Sequence, residues 1–260
     1  IYAAGCVRQP MNMSEAQLDA AGAAMKAIQC VEHVAKGIAV HPRAWDVTYP
    51  DANLLKCTAC KRCTEECPFG AIEEDAKGIP SYKINRCRRC GTCMGACPER
   101  IVSFKDYSVD MIGSMIKSME VPDEGLRIIA LACENDAYPA LDSAAINRKQ
   151  LHPSVRFIPV RCLGSTNLVW VADAFSRGID GLILLGCKYG ENYQCHFIKG
   201  SELANYRFSK IQETLDKLQL EAERCQLIQV AISEYDKLPD MINDFVKGIE
   251  KVGPNPFKGF

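Results

Sequence analysis

Fifteen cysteines dominate the chemistry open to this 260-residue chain, and eight of them fall between Cys57 and Cys97. They form a repeat, Cys57-Thr-Ala-Cys60-Lys-Arg-Cys63-Thr-Glu-Glu-Cys67-Pro68 and Cys87-Arg-Arg-Cys90-Gly-Thr-Cys93-Met-Gly-Ala-Cys97-Pro98. Each half reads C-x2-C-x2-C-x3-C-P. Three thiolates spaced by two residues wrap three corners of an iron–sulfur cubane, and the fourth, followed by proline, closes the neighbouring cluster. On that rule one [4Fe–4S] cluster takes Cys57, Cys60, Cys63 and Cys97, and the second takes Cys87, Cys90, Cys93 and Cys67. Two four-cysteine zinc knots are the competing use of such pairs, but they have no use for a regular third cysteine and a trailing proline.

Three further cysteines share a different pattern. Cys133, Cys162 and Cys187 each end a short apolar run, at 126–133, 155–162 and 180–187, and helical stretches at 139–151 and 165–177 separate the runs. The pattern predicts a βαβαβ unit, continued by a helix over 201–220, a strand over 226–232 and a helix over 238–252. That is an open, mostly parallel sheet with helices on both faces, whose strand carboxyl ends line a ligand crevice. Three thiols therefore converge on one rim, and Cys195 in the 186–196 loop supplies a fourth. Sulfur-only ligation suits zinc or an iron–sulfur centre, and spacing does not choose between them; buried structural thiols are the bland alternative. A mixed histidine–cysteine site at His196 would need a second histidine, and His33, His41 and His152 lie in unrelated places. Cys225, at the opposite end of its strand, reads as a small buried hydrophobe.

The elements that must position these thiols come from an ordinary globular composition, 48% hydrophobic, with 31 Lys and Arg against 32 Asp and Glu. A formal net charge of −1 lacks the electrostatic footprint of a nucleic-acid binder. No apolar stretch approaches the roughly 18 residues of a spanning helix, and no export signal is visible, so the cysteines are expected in a reducing, cytoplasmic compartment. The chain starts with what reads as a strand end, Ile1-Tyr2-Ala3-Ala4-Gly5, as a piece of a longer polypeptide would. Ser14-Glu-Ala-Gln17 predicts a capping box for a small-residue helix containing Cys30 as a core residue. Ile72, Ile79, Ile84, Ile101 and Phe104 are expected to shield the clusters. Arg86, Arg88 and Arg89 either raise a cluster potential and steer an acidic partner or form a solvated face. No Ser/His/Asp set or phosphate loop is visible, so no catalytic residue is assigned.

Residues 52–106, including Gly70-Ala71-Ile72 and Ile101-Val102-Ser103-Phe104, resemble bacterial two-cluster ferredoxins. Residues 126–250, with Ala132-Cys133, Val160-Arg161-Cys162, Gly186-Cys187, Cys195-His196 and Asn205-Tyr206, resemble the MvhD family, the small iron–sulfur subunits that link methanogen hydrogenases to heterodisulfide reductase. That resemblance implies a [2Fe–2S] cluster on Cys133, Cys162, Cys187 and Cys195. Asp136 stands where the family carries a second cysteine after the first strand, and the 187–195 loop is longer, which leaves four thiols for one cluster. Residues 1–40 are similar to the last strand, turn and helix of the flavin domain of heterodisulfide reductase A. The similarity implies Gly5 and Cys6 at a flavin edge, with FAD held only by a full-length polypeptide.

The expected organisation is a flavin-domain remnant at 1–45, an α+β ferredoxin-like domain at 46–112 and an α/β iron–sulfur domain at 123–260. This order resembles heterodisulfide reductase A-like proteins fused to an MvhD-like domain, and within them the quinone-interacting membrane-bound oxidoreductase family. That family implies electron transfer between a flavin- and quinone-linked module and a soluble sulfur-metabolism enzyme, adenylylsulfate reductase. It also implies partner subunits that bind flavin and quinone, and a peripheral place at the cytoplasmic membrane face. A bifurcating subunit serving hydrogenase and heterodisulfide reductase shares these motifs. A zinc-stabilised, non-redox scaffold and a thiol–disulfide enzyme using Cys133 or Cys187 are the alternatives of other classes.

Overall fold

A computed structural model describes residues 3–36, 48–190 and 195–259. The expected remnant boundary at 45, His41, and Ile1 and Tyr2 of the expected strand end lie outside them. After an extended Ala4, Gly5–Val7 form a 3-10 turn, with Gly5 N–H donating to the Asp19 carboxylate at 2.8 Å. Helix α1 (Met13–Ala35) follows. Its capping box is not Ser14 and Gln17: Asn12 Oδ1 accepts from Glu15 N and Glu15 Oε2 accepts from Asn12 N, both at 2.9 Å. Asn caps as well as Ser and Glu reaches back as a charged acceptor, so the start moves two residues earlier. Cys30 is half-buried rather than core.

The ferredoxin-like segment is two small antiparallel ribbons holding two short helices. Strand β1 (Asp51–Ala52) leads to α2 (Arg62–Glu65), β2 (Ile72–Glu74), β3 (Pro80–Tyr82), α3 (Thr92–Ala96) and β4 (Val102–Ser103). Asp51 pairs with Ser103 and Ile72 with Tyr82, so β1 joins β4 and β2 joins β3. The helices α2 and α3 begin at the same place in each cysteine repeat. Ile72 and Phe104 are buried as expected, while Ile84 is exposed and shields nothing.

Helix α4 (Val109–Lys117) is capped by Ser108, whose hydroxyl accepts from Met111 N at 3.0 Å. The expected boundary at 112 divides this helix. Its buried face, Val109, Ile112 and Ile116, lies against the C-terminal unit, where Trp170 Nε1 donates to the Val109 carbonyl at 2.8 Å.

The C-terminal unit runs β5 (Ile128–Cys133), α5 (Ala137–Ile146), β6 (Val155–Val160), α6 (Leu168–Ser176), β7 (Gly181–Cys187), α7 (Gly200–Leu218), β8 (Cys225–Val230) and α8 (Leu238–Val252). All four strands are parallel, in the order β6-β5-β7-β8. The central pair is buried along its whole length, whereas β6 and β8 alternate. Strands covered on both faces need continuous apolar runs, and edge strands do not. Helix α5 contacts α8 on one side, and α6 contacts α7 on the other. Buried Asp180 fastens the C-terminal tail, accepting from Arg127 N at 2.7 Å, Asn255 N at 2.9 Å and Lys258 Nζ at 3.1 Å. The strand order reverses between β5 and β7, which makes their carboxyl ends the crevice of the fold.

Candidate metal centres

The two halves of the cysteine repeat adopt the same backbone. Ala59 and Lys61 have φ of 52° and 63°, and their counterparts Arg89 and Gly91 have 57° and 81°. Three of these four left-handed residues are not glycine, a local cost that a bound group with sulfur contacts would explain. In both loops the amide two residues after the first cysteine donates to its sulfur, Ala59 N to Cys57 and Arg89 N to Cys87, each at 3.4 Å. Amide donors aimed at sulfur are one means by which a protein tunes a cluster.

Cys67, Cys87, Cys90 and Cys93 line one small cavity, together with Phe69 and Tyr82. Burial first and then neighbouring thiolates push the Cys87 thiol up to about 11 and the Cys93 thiol well above its ordinary value. Cys67 is among the neighbours acting on both. Cys63 is raised by burial and also by Cys97 and Cys60. Cys97 therefore stands by the first loop and Cys67 by the second, a crossed arrangement. Tyr82 lies between the sets, its phenol raised by burial and by Cys93, Cys63, Cys97 and Cys57. The donor chemistry and the repeated loop fit cubane clusters. Cys60 is exposed and Cys57 half-buried, whereas Cys87, Cys90 and Cys93 are buried, so the first set faces outward and the second faces the α/β unit. Of the three arginines expected to act together, Arg86 pairs with Glu73 at the surface, Arg88 is exposed, and Arg89 turns inward over the Tyr49 ring at 5.4 Å.

The rim thiols also meet. Cys133 ends β5 and Cys187 ends β7, with their sulfurs 3.7 Å apart. Cys162 is not on its strand, which stops at Val160, but caps the 3-10 turn Leu163–Ser165, where its sulfur accepts from Gly164 N at 3.4 Å. Cys195 completes the group. Hydrogen bonds from Cys162 and Cys187 pull Cys133 far down and Cys195 down to about 3, while the two donors are raised. Gly200 at the start of α7 makes the approach feasible, because a Cβ there would stand 2.5 Å from Cys162 Sγ and 2.8 Å from Cys195 Sγ. Among the described residues no three His, Cys, Asp or Glu side chains stand in single-ion geometry. The rim thus shows converging thiols rather than a set coordination polyhedron.

His196 is held neutral, its pKa lowered to about 4 chiefly by burial and then by Lys26. Cys225 is fully buried away from the other thiols, as expected. Cys6 is exposed near the Met11 carbonyl, and Gly5 has φ of 69°. No helix of the described residues is long and apolar enough to cross a membrane. Sequence reasoning missed Gly95, Gly200, Arg161 and Arg207. Arg207 is a buried clamp, donating from Nε to the Gly164 carbonyl at 2.8 Å and from Nη2 to Glu66, which precedes Cys67. A lone arginine on a helix carries no pattern that names its partner 141 residues away.

A model of the family described as methyl-viologen-reducing hydrogenase, delta subunit, matches residues 128–253. The vhu iron-sulfur subunit of the F420-non-reducing hydrogenase of Methanocaldococcus jannaschii is 31% identical over 131 residues, 50% of this chain and 96% of that protein. The chain belongs to this delta-subunit family. Ahead of the delta-subunit portion, a 4Fe-4S dicluster domain model matches residues 56–102. The ferredoxin/F420H2-dependent CoB-CoM heterodisulfide reductase A protein of Methanosarcina acetivorans is 26% identical over 257 residues, 98% of this chain but 31% of that protein. The ferredoxin:CoB-CoM heterodisulfide reductase A protein of Methanosarcina mazei is 25% identical over 259 residues, again 98% and 31%. The chain thus spans about a third of the length of these two relatives. It is an iron–sulfur protein with a [4Fe–4S] dicluster segment and a delta-subunit-like α/β unit, related to heterodisulfide reductase and hydrogenase subunits.

Proposed function

We propose that this chain relays single electrons along three cysteine sets: Cys57, Cys60, Cys63 and Cys97 for one [4Fe–4S] cluster, Cys87, Cys90, Cys93 and Cys67 for the second, and Cys133, Cys162, Cys187 and Cys195 for a [2Fe–2S] cluster. When bound, such clusters supply one-electron redox chemistry at potentials set by sulfur hydrogen bonds and solvent exposure. The observation that carries the reading is spatial. The inward cysteine set abuts the turn bearing Cys162, while the outward set is open to a partner. The chain's own contribution is to hold the thiols, exclude water from the inner two sets and aim amides at sulfur.

By resemblance to the B subunit of quinone-interacting oxidoreductases, QmoB, the relay connects a flavin- and quinone-linked module with a soluble sulfur-metabolism enzyme such as adenylylsulfate reductase. The sites would then lie at the cytoplasmic membrane face through partner subunits, and FAD would belong to the full-length polypeptide beside Gly5 and Cys6. Alignment with heterodisulfide reductase A proteins over 98% of the chain favours a second reading, a hydrogenase- or ferredoxin-linked component of that enzyme class.

Iron, acid-labile sulfide and zinc per chain, measured on anaerobically purified protein, test the reading. About ten irons, from two four-iron groups and one two-iron group, are expected. About eight irons with one zinc would make the rim a structural zinc site and end the relay at the second cluster. Zinc with almost no iron would remove electron transfer. Reduction of the purified complex with a quinol against reduced ferredoxin separates the two partner readings.

A further inference from the structure

The dicluster segment and the α/β rim meet along one seam, and its construction singles out a residue that ligates nothing. Helix α3, which carries Cys93, lies so close to the turn Leu163–Ser165 that a Cβ on Gly95 would fall 2.4 Å from the Ser165 carbonyl oxygen and 2.5 Å from its carbon. Across the same seam the Tyr107 hydroxyl and Ser165 Oγ are 2.8 Å apart, and Ser165 Oγ donates to the Cys162 carbonyl at 2.6 Å. Arg161 immediately precedes Cys162 and is 1% exposed. Its side chain crosses to the other side, where Nη1 donates at 3.3 Å to the carbonyl of Arg89, the residue before Cys90. Its guanidinium lies over Phe104 at 4.1 Å and Tyr107 at 4.8 Å. Its own carbonyl accepts from Asn135 Nδ2 at 3.2 Å and faces Cys133 Sγ at 4.0 Å.

We propose that Arg161 is a positioning residue shared by two centres, pinning the Cys90 loop to the Cys162 turn and placing a fixed positive charge between the second cysteine set and the rim thiols. The inference rests on the iron–sulfur reading of both sets. A guanidinium keeps its proton in proteins, so its charge is permanent. Water is excluded from the seam, and a charge there acts over a longer range than on the surface. Adding one electron to a thiolate-ligated cluster adds one negative charge and breaks no bond, and a nearby cation favours that addition. Arg161 therefore raises the potentials of the inner set and of the rim, and raises that of the outward set, Cys57, Cys60, Cys63 and Cys97, to a smaller degree. The stacked rings and the bond to Arg89 hold the charge in place.

The test is a dye-mediated potentiometric titration followed by EPR on anaerobically purified full-length protein, comparing wild type with Arg161→Met, Arg161→Lys and the surface control Lys77→Gln. Iron and sulfide are counted on every sample. Arg161→Met is expected to lower the one-electron reduction equilibrium of the inner four-iron signal and of the rim signal by about tenfold each, about 59 mV, and the outer signal by less. Arg161→Lys, which keeps the charge without the planar fork, is expected to return both to within about twofold of wild type, and Lys77→Gln to move neither. Unchanged potentials in Arg161→Met with a full iron complement overturn the proposal, as does an Arg161→Lys shift as large as that of methionine. Should the methionine variant lose a centre, Arg161→Gln is read in its place by the same two criteria. Wild-type protein without iron would instead overturn the electron-relay reading itself.

Discussion

Gly200→Ala perturbs the rim separately from the dicluster segment without replacing a single proposed ligand. The added methyl would stand 2.5 Å from Cys162 Sγ and 2.8 Å from Cys195 Sγ, whereas non-bonded carbon contacts settle near about 3.5 Å. One or both sulfurs must therefore retreat by about 1 Å, or the first turn of α7 must tilt. Overpacking of this kind costs about 1–3 kcal/mol, against the fraction of about 1 kcal/mol that alanine gains over glycine in a helix. The larger effect is on the centre, because a thiol displaced by about 1 Å lies well outside the roughly 0.2 Å tolerance of metal–sulfur distances. Gly248→Ala is the matched control: it sits within α8 with nothing within 4 Å of its added carbon, and is expected to raise stability by up to about 1 kcal/mol. The assay is iron and sulfide content with visible circular dichroism on both variants. Gly200→Ala should lose about two irons and the corresponding optical bands while keeping about eight, and Gly248→Ala should keep all of them. A Gly200→Ala protein with the full iron complement and an unchanged rim spectrum would refute the assignment of Cys162 and Cys195 to a shared centre.

Cys195→Ser and Cys225→Ser should part company in the same way, the first losing the rim metal and the second, whose thiol is raised by burial alone, leaving metal content unchanged. Arg207→Met removes a buried guanidinium from Glu66 and the Gly164 carbonyl, and should lower unfolding stability by about 3 kcal/mol, read by urea unfolding with both domains monitored. His196 gives a pH signature. The unfolded chain takes up its proton near 6.5, but the folded chain stays neutral to about 4. Its stability contribution is thus intact above about 6.5 and lost as pH falls from there to about 4, by about 3 kcal/mol in all. His196→Phe should flatten that part of the unfolding profile, and an equally steep profile in the variant would contradict the burial argument.

The cysteine repeat was legible because cluster ligation is local: a C-x2-C-x2-C loop must adopt one path, and the left-handed residues of both loops recur at matching positions. The α/β unit was equally legible, since central strands with both faces covered must be apolar throughout, and the runs ending at Cys133 and Cys187 are. The same rule of strand ends puts Cys133 and Cys187 on one rim, where their sulfurs stand 3.7 Å apart. Local chemistry was misread where two similar signals competed, as at Asn12 against Ser14, or where a charged residue turned inward, as Arg89 does. The sequence by itself determined the paired cysteine loops and the apolar strands, because ligand spacing and strand periodicity are properties of neighbouring residues. Only the tertiary structure decided how the two units meet. Gly95 against Ser165, Arg161 against Arg89 and Arg207 against Glu66 are pairings between residues 70 to 141 positions apart. Such contacts depend on the relative placement of whole elements, and no short-range pattern encodes that placement.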